Sequence, residues 1–305
     1  MTEPATEPST EPGTDPTTDA PYRDLAFTTS DGVRLYGRDY GSRAWGRTPV
    51  VCLAGLTRNS ADFHALASYL STRAVPRRVV ALDMRGRGRS EHDPHGRYDL
   101  LREASDALDG MVAAGLHDVA VVGTSRGGIL AMAMAALRPG ILRAVVLNDI
   151  GPVIEGAGLV RIKAYLARLG APKTWDEAEA TLRSLHGASF PALSAEQWER
   201  TTRAIYADRN GRPELAHDRA IHATLDGIEE ATPPPMWGPF EGLGTLPVLS
   251  VRGALSSLLS AETQGEMARR HPRLETWTVP EQGHAPLLDD DATMAVIADF
   301  LDRAD

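Results

Sequence analysis

Val121-Val-Gly123-Thr-Ser125-Arg-Gly127-Gly128 decides how this chain is read. Residues 119–122 form a short apolar run, as in a strand buried on both faces, and residues 127–137 continue as an apolar helix. Between them lies G-x-S-x-G, in the strand–turn–helix context that this motif requires. The turn is too sharp for side chains at 123 and 127, hence glycine at both. Ser125 then projects at the carboxyl end of a sheet strand, where α/β folds place their ligands. It is the expected nucleophile. The amide of Arg126, at the start of the helix, points at any developing oxyanion.

Outward from this turn, strands and helices alternate. Pro49-Val-Val-Cys-Leu-Ala54, Arg78-Val-Val-Ala-Leu-Asp83 and residues 142–148 are further buried strands. Helices are predicted over 60–71, with Phe63, Leu66, Tyr69 and Leu70 on one face, and over 101–114, with Leu108, Met111 and Val112 inward. Asp31-Gly32 turns a hairpin between residues 22–29 and 33–40. Residues 246–252 and 274–280 are strands, alternating with helices at 261–270 and 290–304. The fold class is α/β: a mostly parallel central sheet flanked by helices.

Residues 152–240 break the alternation. No strand is predicted there. Leu159, Ile162, Leu166 and Leu169 have helical spacing, and Thr174-Trp-Asp-Glu177 and Ser194-Ala-Glu-Gln197 read as capping boxes. Pro233-Pro-Pro235 ends the block. The expected organisation is a core of residues 21–151 and 241–305, with a helical cap at 152–240. The cap follows the sixth strand, if residues 49–54 are the third.

Residues 1–20 repeat as TEPA, TEPS, TEPG and TDPT. Proline at every fourth position and like charges predict an extended, disordered tail. The tail carries five of the 41 acidic residues, leaving 36 against 32 basic ones over the other 285. So mild an imbalance argues against nucleic acid or a charged membrane surface as partner. A hydrophobic share of 42% excludes global disorder. The single cysteine, Cys52, excludes an intrachain disulfide framework. No apolar run reaches the length of a spanning helix. The start lacks a basic region followed by an apolar one, so a cytoplasmic location is expected. Thirty of the 32 basic residues are arginine, leaving only Lys163 and Lys173.

A serine hydroxyl needs a base within hydrogen-bond reach. Of nine histidines, only His284, in Glu281-Gln-Gly283-His284-Ala-Pro, follows a sheet strand near the end of the chain. That is the slot for the base in the Ser…acid…His order. A second oxyanion donor is expected after the third strand, where Gly55 lets the backbone approach and the amide of Leu56 pairs with that of Arg126. His92 and His95 lack a helical spacing or a cysteine partner and read as a solvated loop, so no metal site is expected.

With these residues placed, the chain from about residue 22 resembles the α/β-hydrolase superfamily of the kind with a helical cap. Four landmarks match in order: Ala54-Gly55-Leu56-Thr-Arg-Asn59, Asp83-Met-Arg-Gly-Arg-Gly-Arg-Ser90, the turn around Ser125, and Gly283-His284. The resemblance implies cleavage of a carboxylic ester or lactone through a serine acyl-enzyme, with no cofactor and a small-molecule substrate. It implies that the Arg85–Arg89 loop packs behind the site. Similar parts also serve carbon–carbon hydrolases of the meta-cleavage type, which often bind carboxylates, and Arg58 and Arg126 keep that alternative open. Either arginine is equally an internal ion-pair partner, for instance of Asp83 or Asp149. Leu159, Ile162, Tyr165, Leu166, Met236 and Trp237 are candidates to line a pocket or to form the cap's own core.

The triad acid departs from the pattern. Similar sequences read Arg-Gly-x-x-Ser-Asp-x-Leu after the seventh strand, whereas this chain has Arg252-Gly-Ala-Leu-Ser256-Ser257-Leu-Leu259. A hydroxyl at 257 can hold the imidazole tautomer but cannot balance an imidazolium. Three readings stay open: Asp149 supplies the acid from the end of the sixth strand, as in haloalkane dehalogenases and certain lipases; the chain uses a Ser125–His284 dyad; or Ser257 replaces an ancestral aspartate. Glu262 is a weaker candidate. Ser257 also keeps open a non-catalytic small-molecule-binding protein.

Overall fold

The computed structural model describes residues 13–15, 18–44, 46–228 and 233–305. Its main sheet contains β1 (Gly13–Asp15), β2 (Thr18–Thr28), β3 (Arg34–Tyr40), β4 (Val50–Leu53), β5 (Val79–Asp83), β6 (Val119–Thr124), β7 (Leu142–Asn148), β10 (Val248–Gly253) and β11 (Leu274–Val279). They lie in the order β1-β2-β3-β5-β4-β6-β7-β10-β11. The first three pairings in that order are antiparallel, and all later ones are parallel. Most of the disordered-tail expectation falls on residues 1–12, 16 and 17, outside those described. The sheet nevertheless begins before residue 21, because β1 pairs with the start of β2. An edge pairing needs only backbone donors and acceptors, which composition does not forbid.

β4 and β5 are buried along their whole length. Val51, Leu53, Val80 and Leu82 point to one face, where they meet Ala104, Ala107 and Met111 of α2 (Leu100–Ala113) and Leu130 and Met134 of α3 (Arg126–Leu137). Val50, Cys52, Val79 and Ala81 point to the other, against α1 (His64–Thr72) and α9 (Asp291–Arg303). The period-2 pattern is thus apolar on both faces, as helices on both sides demand. Burial pushes the Cys52 thiol pKa up, so it stays a packing residue. α2 differs from expectation. Val112 is 72% exposed, while Ala104, Ala107 and Met111 face inward. Small residues let this helix approach closely: a Cβ on Gly110 would lie 2.8 Å from Phe27.

The segment between β7 and β10 holds α4 (Gly156–Arg168), α5 (Trp175–His186) and α6 (Ala195–Ile205). They close on their own core of Leu166, Ala178, Leu182, Trp198 and Tyr206. Only Ser194 forms a full capping box with Gln197. Thr174 caps α5, but Glu177 turns to the amide of Lys173 instead.

Two expectations for this segment are corrected. First, it contains strands: β8 (Tyr206–Arg209) and β9 (Arg212–Leu215) form a hairpin. Asn210 and Gly211 turn it with φ of 55° and 79°, and Asp208 accepts from the Gly211 amide. That is the asparagine–glycine signal of a tight hairpin. Second, Trp237 is not among the residues that line the cavity at Ser125. It opens α7 (Trp237–Glu241), which packs on α3 and the main core, and the Arg270 guanidinium sits 3.9 Å from its ring centre. α7 therefore belongs with the sheet domain.

The hairpin leads into a seam with the core loop after β5. The Gly88 amide donates to Ala216 and the Asp218 amide to Gly86, both at 2.7 Å. Lys163 lies on α4, and the exposed Lys173 just before α5. Among the described residues no helix is long and apolar enough to cross a membrane.

Candidate active site

Ser125 occupies the turn between β6 and α3 with φ 52° and ψ −116°. Its neighbours must be glycine. A Cβ at Gly123 would lie 2.5 Å from the Gly127 carbonyl oxygen, and one at Gly127 would lie 2.0 Å from that of Leu53. So strained a conformation at a non-glycine residue persists only where the surroundings enforce it.

His284, in the loop after β11, has Nε2 2.9 Å from Ser125 Oγ. Its Nδ1 lies 2.8 Å from Oδ2 of Asp149. The sequence left the acid open between three readings, and the structure brings Asp149 to the imidazole. The residue is fully buried just beyond β7, with φ 56°. Its amide donates to Val251, while Oδ1 accepts from the Gly253 amide and Oδ2 from Ser256 Oγ. A carboxylate only accepts, so Nδ1 carries the proton and Nε2 is left to accept from the serine.

Ser257 takes no part in this chain. Its carbonyl packs against Gly158, where a Cβ would lie 2.3 Å from it. Ser256, unweighed in the sequence, is the residue that meets the carboxylate. Its hydroxyl also accepts from the amides of Leu258 and Leu259. Asn148 was missed as well. Its side-chain amide donates to Thr124 Oγ1 and to the Pro286 carbonyl, joining the ends of β6 and β7 to the His284 loop.

The amides of Leu56 and Arg126 make no hydrogen bond among the described residues. Both residues line the same cavity as Ser125 and His284. A Cβ at Gly55 would lie 3.8 Å from the Ser125 Cβ, so this backbone runs beside the serine. The cavity is about 950 Å³ and mainly apolar, walled by Ile129, Leu159, Ile162, Tyr165, Phe190 and Leu225 among others. Leu166 turns instead into the core of the insertion. His186, at the end of α5, also faces the cavity, edge-on to Tyr165. Burial, reinforced by positive Arg58 and by His284, pushes its pKa down to about 4. No sequence pattern singles this residue out.

Both arginines already pair with carboxylates of the protein. Arg58 lines the cavity, but its guanidinium forms a two-armed pair with Asp62. Arg126 binds Glu103 at 2.7 Å and the Tyr98 carbonyl at 2.6 Å. The partners suggested from sequence, Asp83 and Asp149, bind elsewhere; Asp83 accepts the amides of Ser60 and Arg89. In the Arg85–Arg89 loop Arg85 and Arg87 pack inward, Arg85 among Asp31, Asp93 and Asp106, whereas Arg89 is exposed and pairs with Asp24. No group of three acidic, histidine or cysteine side chains among the described residues could hold a metal.

A doubly wound sheet with a serine–histidine–carboxylate chain at its carboxyl edge defines the architecture of a hydrolase. Residues 50–296 match the profile of the alpha/beta hydrolase family, and the chain belongs to that family. It is 34% identical over 285 residues to the 3-hydroxybutyrate-oligomer hydrolase of Cupriavidus necator, covering 89% of this chain and 94% of the relative. It is 29% identical over 252 residues to the 2-(acetamidomethylene)succinate hydrolase of Mesorhizobium japonicum, covering 81% and 86%. A solved α/β-hydrolase structure from Novosphingobium aromaticivorans superposes with a TM-score of 0.83 at 37% identity, covering 92% of this chain and 98% of that one.

Proposed function

We propose that this chain is a serine hydrolase of carboxylic esters, acting on short oligoesters of hydroxy acids, with the insertion between β7 and β10 serving as its cap. The observation that carries the reading is the hydrogen-bonded chain Ser125–His284–Asp149 at the wall of an apolar cavity. Ser125 Oγ attacks the ester carbonyl carbon as His284 Nε2 takes its proton. The carbonyl oxygen becomes an oxyanion, held by the amides of Leu56 and Arg126. Asp149 keeps the imidazole in the right tautomer and balances the imidazolium. Collapse breaks the bond to the alcohol, which leaves with the proton from His284. Water, deprotonated by His284, then attacks the acyl-enzyme and frees Ser125 and the acid.

The substrate class draws on the Cupriavidus necator relative and on the cavity. A volume of about 950 Å³ with mostly apolar walls suits a chain of several ester units. Arg58 is paired with Asp62 and Arg126 with Glu103, so the reading draws on no carboxylate-binding arginine. A fluorophosphonate probe should label Ser125 in the folded protein. Hydrolysis of 3-hydroxybutyrate dimers and trimers should fall at least ~10³-fold in Ser125→Ala and in His284→Ala. Unlabelled folded protein, or turnover retained in Ser125→Ala, sinks the serine reading. Labelled protein that cleaves p-nitrophenyl esters but not the oligomers leaves the mechanism and sinks the substrate.

A further inference from the structure

Glu103 is a fully buried carboxylate that the chemistry above does not use. It sits in the first turn of α2 and is not among the residues lining the cavity, whereas Arg126 is. Oε2 accepts from Nε of Arg126 at 2.7 Å, and Oε1 lies 3.0 Å from Nη2 of Arg87, a contact of charges whose two atoms are not aligned as a hydrogen bond. Each arginine continues beyond the glutamate to a backbone carbonyl. Arg126 donates from Nη2 to Tyr98. Arg87 donates from Nε to the carbonyl of Leu56 and from Nη1 to that of Arg85. One carboxylate therefore ties together Arg126, which carries one oxyanion amide, and the arginine that grips Leu56, which carries the other.

From this arrangement, and resting on the serine-hydrolase reading above, we propose that Glu103 is a positioning residue that sets the two oxyanion amides in register through Arg87 and Arg126. Burying three charges side by side is a poor way to gain stability alone, since apolar side chains of similar size often do as well. The guanidinium fork has fixed directions, so the bonds of Arg126 to Glu103 and Tyr98 and of Arg87 to the Leu56 and Arg85 carbonyls transmit position, while the charge of Glu103 holds Arg87 in place. The two amides come from different segments, the loop after β4 and the start of α3, and among the described residues no hydrogen bond joins one amide to the other's segment. Their task arises only when the oxyanion forms. An error in their placement should therefore appear in the chemical step and not in ground-state binding.

The test uses the full chain with Glu103→Gln, Glu103→Asp and the triple apolar variant Arg87→Met/Glu103→Leu/Arg126→Met. The glutamine keeps the shape and loses the charge, and the triple variant removes all three buried charges together. On a p-nitrophenyl ester, Glu103→Gln should lower kcat about 10- to 100-fold with KM changed less than about threefold. Phosphonylation of Ser125 and affinity for a trifluoromethyl ketone, which forms a tetrahedral oxyanion on the serine, should fall in proportion to kcat. Binding of the matching unreactive alcohol should hold. Glu103→Asp should recover part of the loss. If Glu103→Gln does not fold, the triple variant carries the test: stable protein with the same kcat deficit supports the proposal. Near-normal kcat and phosphonylation in either folded variant, whatever its melting temperature, overturns it. Wild-type protein that the probe does not label overturns the serine reading and this inference with it. Labelled wild type beside an equally fast variant overturns this inference alone.

Discussion

Ser256 donates its hydroxyl to Asp149 Oδ2 at 2.6 Å, on the same oxygen that meets His284. The loop after β10 thus contributes a donor to this carboxylate, which itself stands at the end of β7. With Gly253 on the other oxygen, the carboxylate is held by three donors in a buried site. That is what an acid needs if it is to orient an imidazole without taking its proton.

The first prediction separates the three serine and aspartate roles. Asp149→Asn should lower kcat/KM by about 10⁴-fold, because an amide there favours the wrong tautomer. Ser256→Ala leaves two donors on the carboxylate and should reduce it about tenfold. Ser257→Asp should leave it unchanged. A strong rise in turnover with Ser257→Asp would return the acid to the loop after β10.

Gly127 tests the turn around the serine. A methyl group there meets the Leu53 carbonyl at 2.0 Å, which is backbone and cannot swing aside. Gly127→Ala should destabilise the fold by about 3 kcal/mol or more in urea unfolding. Gly187 has open space around its missing Cβ, so Gly187→Ala should stay within about 0.5 kcal/mol. Equal effects would refute this packing account.

Acid stability follows from His217. Burial, with His222 and then Arg87, Arg58 and Arg219 as positive neighbours, pushes its pKa down to about 3. The unfolded chain takes up that proton below pH ~6.5, whereas the folded one does not. This contribution to stability is therefore complete above pH ~6.5, and is lost progressively down to about pH 3. His217→Phe should lose less stability between pH 7 and pH 5 than wild type, by at most about 2 kcal/mol. Parallel unfolding curves at the two pH values would contradict it.

Trp237 and Leu159 distinguish packing from binding. Trp237→Ala removes a ring lodged between Phe240 and Arg270, and should cost about 2 kcal/mol with KM unaltered. Leu159→Trp fills cavity space and should raise KM for long acyl chains more than for short ones. A KM change in Trp237→Ala on a panel of p-nitrophenyl esters would place the ring back at the substrate.

The serine turn, its two glycines and His284 were legible because each needs a particular residue at a particular point of a strand–helix alternation. Asp149 was readable only as one of three options, since its role depends on strands 104 residues apart meeting at one edge. The β8–β9 hairpin did announce itself through Asn210-Gly211, but its strands are short and charged, and Pro213 interrupts one of them. Trp237 was misplaced because apolar residues after a proline block look alike whether they turn to a cavity or to the sheet. Glu103 was invisible for a further reason: a glutamate in a helical first turn is expected to face water.

The near absence of lysine has a practical side. Lys163 on α4 and Lys173 before α5 both belong to the insertion between β7 and β10, the proposed cap. Among the described side chains, then, primary amines stand only on this proposed cap. A support coupled through those two side chains would hold the molecule by the proposed cap and leave the sheet domain hanging free. Immobilisation would in that way clamp the covering and not the machinery. The change in turnover on coupling would measure how far the roof has to yield for an ester to enter.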